Sequence, residues 1–149
     1  MFCTYVQHCL PFTGCDYLPA FSRRGKEKPF ERMVEDHESV SAFGQLGQTQ
    51  EVPNHIKVSI EHYTCLLYGE KKYRHDVHEV NRKRLTMLEA KLPKRGNKLK
   101  KLKSFDPVSL PPCLDVLSQK IRHINYITHM WRNAHKRRLP VWDPCKHGW

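Results

Sequence analysis

Leu114-Asp-Val-Leu-Ser-Gln-Lys-Ile-Arg-His-Ile-Asn-Tyr-Ile-Thr-His-Met-Trp131 is the stretch that decides the fold class. Leu114, Leu117, Ile121, Ile124, Ile127 or Thr128, and Trp131 recur every three or four residues, the spacing of one helix face over about five turns. The same helix turns Lys120, Arg122, His123, Arg132, His135 and Lys136 outward, so one side packs while the other meets water or phosphate. Pro111-Pro112 stiffens the approach to it, and the spacing predicts a terminal helix over 113–136.

Working outward from that helix, the pattern stays helical. Ile56, Ile60, Tyr63, Leu66 and Leu67 share one side of a helix over Pro53 to Tyr68 that Gly69 ends. Phe30 to Val34 and Val40 to Leu46 give two shorter helices, the second ended by Gly47. Phe2, Tyr5, Val6, Cys9 and Leu10 fit a short amphipathic helix that Pro11 and Gly14 stop. Asp76 is placed to cap a further helix with a weaker stripe of Val77, Val80, Leu85 and Leu88, interrupted by Arg82-Lys83-Arg84. Residues 91–103 combine Pro, Gly and seven Lys or Arg, a linker composition that also suits a nuclear localisation signal or a phosphate-binding arm. Two regions are expected: a helical module over 1–69, and a basic region over 70–149 with a linker at 91–112 and the terminal helix.

At 149 residues and 39% hydrophobic content the chain suits one ordinary domain. Its mean hydropathy of −0.69 predicts a loosely covered core. No stretch reaches the roughly 20 apolar residues of a membrane span, and Met1 to Leu10 lacks the pattern of a secretory signal. An intracellular protein without a membrane partner is therefore expected. Residues 1–69 carry 6 Lys or Arg against 8 acids and residues 70–149 carry 20 against 7, which is −2 against +13. Such an excess in one half is an electrostatic footprint for phosphate or acidic surfaces.

The cysteines at 3, 9, 15, 65, 113 and 145 form no CxxC pair and read as reduced thiols. His75-x-x-His78-Glu79 and Cys145-x-His147 lack the complete ligand set of a zinc site. The proline-rich tail Leu139 to Trp149 is expected to fold its two tryptophans back onto apolar surface.

Thr13-Gly14-Cys15-Asp16, Ala20-Phe21, Gly25-Lys26, Leu66, Tyr68-Gly69, Leu110-Pro111-Pro112, Ile121-Arg122, Asn125-Tyr126, Trp131 and His147-Gly148-Trp149 occur in this order over nearly the whole chain. Together they resemble a family of invertebrate, often multi-copy and transposon-associated proteins. Around Gly14-Cys15-Asp16-Tyr17 that family is in turn distantly similar to the flap endonuclease and XPG group of metal-dependent 5′ nucleases with a PIN-like fold. The resemblance implies a mainly α chain, the C-terminal helical part of a PIN-like, 5′ nuclease-type α/β fold whose sheet is largely missing. It implies nuclear location, a metal-ligand role for Asp16, and duplex-backbone contact through the turn at Gly25-Lys26.

The chain departs from the family's pattern at two points. The family's glycine-x-glycine turn reads Arg23-Arg24-Gly25 here, and the upstream acidic strand ends are absent. Two-metal phosphodiester chemistry needs several carboxylates around paired ions about 4 Å apart. Glu27, Glu31, Glu35, Asp36 and Glu38 do not replace them, because they have a surface helical spacing. The expected function is thus non-catalytic and sequence-independent binding of DNA or RNA backbone by a truncated nuclease-like protein. It uses no cofactor, Mg²⁺ entering only if upstream residues complete a nuclease. Candidate contacts are Arg23, Arg24, Gly25, Lys26, Lys28, Arg82, Lys83, Arg84, Lys94, Arg95, Lys98, Lys100, Lys101, Lys103, Arg132, Lys136, Arg137 and Arg138. The alternative is an interaction scaffold docking a protein partner through residues 113–149.

Overall fold

Every residue from Ile60 to Cys65 is buried, so the helix that carries them has no solvent face along its middle and is covered on all sides. The computed structural model, which describes residues 11–14, 21, 25–69, 79–92, 106–138, 141–147 and 149, is built around that helix. In chain order α1 is Glu27–Glu35, α2 His37–Gln45, α3 Asn54–Leu67, α4 Glu79–Lys91 and α5 Leu114–Arg132. Single 3₁₀ turns lie at Pro107–Ser109 and Pro144–His147. The architecture is mainly α, with no strand among the described residues. The central α3 packs against α1, α2, α4 and α5, and the last 3₁₀ turn packs back on α5.

Local chemistry sets the boundaries. Asp36 lies in extended backbone between α1 and α2, and its carboxylate accepts from the Ser39 amide at 3.2 Å and from the Ser39 hydroxyl. It is the N-cap of α2, not one of a row of surface acids. Gly47 and Gly69 follow α2 and α3 with φ of 76° and 87°, the left-handed conformation that glycine adopts without a Cβ penalty. Pro11 does not stop a helix, since Pro11, Phe12 and Thr13 are helical and the turn ends at Gly14 with φ 120°. The helix expected over 2–10 lies outside the described residues, as does the linker from 93 to 105.

The core is continuous and not loosely covered. Phe12 is fully buried, with its ring centroid 5.0 Å from Phe21, 5.2 Å from Phe43 and 5.7 Å from Tyr63. Phe43 and Tyr63 meet edge to face at 5.1 Å, the geometry that aligns a positive ring edge with a negative ring face. The Tyr63 hydroxyl donates to the Pro29 carbonyl at 2.6 Å, fixing α1 to α3. Ile56, Ile60, Leu117, Ile121 and Ile124 extend the apolar cluster along α3 and α5. A few large rings cover area that many smaller side chains would otherwise have to supply, which is how a polar composition still closes its core.

Lys120 departs from the expected outward face. Its side chain is only 9% exposed, and its ammonium lies 3.9 Å from the Phe21 ring centroid and 5.3 Å from that of Phe12. The long methylene stem crosses apolar surface while the charge rests on ring faces. Trp131, expected in the stripe, is 42% exposed. The helix itself stops at Arg132, short of the expected 136, and Asn133 caps it.

Several helix ends are held by side chains from other helices. Glu61 of α3 accepts from the Val80 amide in the first turn of α4 at 3.0 Å. Beside it His62 Nδ1 lies 3.2 Å from the Glu79 carboxylate, with both side chains buried. Asn81 of α4 in turn accepts from the Leu114 amide at the start of α5 at 2.9 Å. Each of these acceptors meets an amide that has no partner within its own helix.

Candidate nucleic-acid interface

The loop between α2 and α3 is fastened to α5 by a run of polar bonds. Asn125 Oδ1 accepts from the Gly47 amide at 2.7 Å, and its Nδ2 donates to the carbonyls of Thr49 and Gln50 at 2.9 and 3.2 Å. His129 Nδ1 lies 3.1 Å from the Gly47 carbonyl and 3.3 Å from Asn133 Nδ2. Arg132 Nε donates to the Leu46 carbonyl at 2.9 Å, and its Nη2 donates to the Gly44 carbonyl.

Arg132 was expected to contact phosphate. Instead its guanidinium satisfies the carbonyls that end α2, and burial lowers its pKa from the ordinary value. Arg84 is likewise engaged, donating from Nη1 to the Pro111 carbonyl. On the same helix Arg82 is exposed and Lys83 half-buried. The α4 stripe is thin because Leu85 is 54% exposed while Val80 is buried. Five residues separate them, which turns the side chain about 140° away around a helix of 3.6 residues per turn.

The other predicted contacts fall into three groups. Asp16, Arg23, Arg24, Lys94, Arg95, Lys98, Lys100, Lys101 and Lys103 lie outside the described residues, as do His75 and His78. Gly25, Lys26 and Lys28 are exposed at the start of α1, and Gly25 has φ 62° with open space around its Cβ position. Lys136, Arg137 and Arg138 form a consecutive exposed run just beyond α5. Among the described residues no ion pair engages any of the three. No group of three His, Cys, Asp or Glu side chains suited to a metal occurs among the described residues.

The tail beyond this run docks through ring contacts with histidines. Trp142 stacks on His129 with centroids 3.6 Å apart and planes 16° from parallel, and on His147 at 5.3 Å. His147 also faces Tyr126 at 5.5 Å, and Trp149 lies over His123 at 4.8 Å. His147 is 3% exposed and its Nε2 has no hydrogen-bond partner among the described residues, whereas Cys145 two residues earlier is exposed.

Burial lowers the His147 pKa; Asp143 opposes this, while His129, Arg122 and His123 add to it. A histidine held low in the fold binds fewer protons than the unfolded chain as pH falls below about 6.5. Tail docking is therefore complete above that pH and weakens on acidification. Tryptophan emission followed from neutral to mildly acid pH should report release of Trp142 with helicity retained, and pH-independent emission over that range would refute the docking chemistry.

Sequence reasoning missed Lys57, Arg122 and Lys146 as site residues, although Arg122 was placed on the outer face of the last helix. With His147 they line a cavity of about 290 Å³ between the loop, α3, α5 and the tail. No local signal links them, because the cavity forms only when Asn125 seats the loop and Trp142 seats the tail. Comparison of the chain with protein-family models, curated proteins and solved structures gives no match.

Proposed function

We propose that the chain is a non-catalytic, nuclease-derived helical module that holds DNA or RNA backbone without reading sequence. The observation that carries this reading is the exposed Lys136-Arg137-Arg138 run, unpaired among the described residues, in a half of the chain with 20 Lys or Arg against 7 acids. Cations that neutralise phosphates release condensed counterions, a gain that is independent of base identity. Lys26 and Lys28 at the start of α1 and Arg82 on α4 are further exposed cations. A distant origin in the PIN-like 5′ nucleases and a nuclear location are consistent with the Gly14-Cys15-Asp16 motif and with the basic tract at 91–103. A single motif carboxylate falls short of two-metal chemistry, so binding without cleavage follows, and Mg²⁺ has no role in this chain alone.

The test is retention of labelled duplex, single-stranded and flap DNA across a salt series with Mg²⁺ present. Log affinity should fall by about 0.9 per phosphate contacted for each tenfold rise in salt on duplex. Replacing Lys136, Arg137 and Arg138 together by Ala should lower that slope by about 2 to 3 units and weaken all sequences equally. Cleavage abolished by Asp16→Ala would overturn the non-catalytic reading. A salt-insensitive complex with protein and no retention on DNA would replace backbone binding with scaffolding through residues 113–149.

A further inference from the structure

The cavity beside the tail brings together three cations that no sequence pattern connects. Lys57 comes from the first turn of α3, Arg122 from the middle of α5 and Lys146 from the last 3₁₀ turn. Glu51 is the one carboxylate among the lining residues, so three positive charges face one negative charge. Among the described residues none of the three cations is engaged in an ion pair. His147, buried and with Nε2 unpartnered among the described residues, forms part of the same wall.

The walls are also fixed. Asn125 holds the Thr49 and Gln50 carbonyls just before Glu51, and the Trp142 stack on His129 holds the tail. A ligand would therefore meet cations whose backbones are already ordered, which removes much of the usual ordering cost of binding. Mutual repulsion among Lys57, Arg122 and Lys146 is relieved most by a compact ligand carrying more than one negative charge. The volume of about 290 Å³ sits at the lower end of small-ligand sites. It suits a phosphate with a small attached group better than an extended strand.

We infer that this cavity is a binding site for a terminal phosphate group, recognised by the Arg122 guanidinium and by the Lys57 and Lys146 ammonium groups. An arginine fork matches phosphate oxygens in pairs and lysines add point charge. The His147 ring supplies a further polar edge. The site goes beyond strand binding by the exposed basic run, because it takes its ligand whether or not a strand is held there. The phosphate comes either from the end of a nucleic-acid strand or from a small phosphorylated molecule.

The experiment titrates the full chain with inorganic phosphate, followed by calorimetry and by emission of the tail tryptophans. Saturable binding is expected, weakened at least tenfold in Arg122→Gln/Lys146→Gln with melting behaviour unchanged. Glu51→Gln should tighten binding severalfold, a gain that a misfolded chain does not give. Two oligonucleotides of one sequence, with 5′-phosphate and with 5′-hydroxyl, separate the sources. A preference for the phosphorylated end that the double variant abolishes identifies strand ends. Equal binding of both, with inorganic phosphate still bound, identifies a small phosphorylated molecule; either result supports the cavity. Absence of saturable phosphate binding, or binding unchanged in both the double variant and Glu51→Gln, overturns it. Loss of DNA retention at intact phosphate binding would remove the strand reading alone, and the reverse would remove the cavity alone.

Discussion

Gly47→Ala should lower the melting temperature by about 8 to 16 °C, from a loss of about 4 kcal/mol in a chain where each kcal/mol moves the midpoint about 2–4 °C. The left-handed φ of 76° alone costs a residue with a Cβ about 1–2 kcal/mol. The added Cβ would also lie 2.6 Å from the His129 nitrogen and 2.8 Å from the Thr128 carbonyl carbon, both α5 backbone atoms that cannot rotate aside. The loop must lift, which breaks the bonds of Gly47 to Asn125 and His129, each worth about 1 kcal/mol. Gly25→Ala has a similar backbone cost but meets nothing within 4 Å, so the pair separates contact from conformation. Equal melting shifts in the two variants would show that the seating of Gly47 on α5 contributes nothing.

Phe12→Ala should cost about 3–5 kcal/mol, the range for emptying a buried aromatic site. The ring touches Phe21, Phe43 and Tyr63, and the Lys120 ammonium sits 5.3 Å from its centroid. Removing it leaves a cavity at the junction of α2, α3 and α5 and takes away one of the ring faces over which Lys120 is buried. Urea unfolding should show a lower midpoint with an unchanged slope. A midpoint shift worth less than about 1 kcal/mol would mean that residues 11–14 lie outside the cooperative unit.

The helices were legible where apolar spacing repeats without interruption. Ile56, Ile60 and Tyr63 in α3, and Leu117, Ile121 and Ile124 in α5, are all buried as their spacing requires. Chemical type misled where geometry ruled. Lys120 falls between Leu117 and Ile124 on the buried side of α5, so its position points inward although its charge suggests water. Arg132 and Arg84 read as free cations, yet each satisfies carbonyls more than 25 residues away in sequence. The phosphate cavity was not legible at all, because Lys57, Arg122 and Lys146 are brought together by Asn125 and Trp142 and not by spacing along the chain.

The caps contributed across helices form a closed circuit. Glu61 in α3 secures α4, Asn81 in α4 secures α5, and Asn125 in α5 secures the loop that leads back into α3. The Val80 and Gly47 amides, whose bonds are buried, therefore share one gate to solvent: opening either requires a neighbouring helix to leave, whereas the Leu114 amide is held at the exposed link of the circuit. Slow amide exchange at Val80 and Gly47 would proceed through a single event, so a bundle with short and polar segments melts as one body instead of fraying helix by helix.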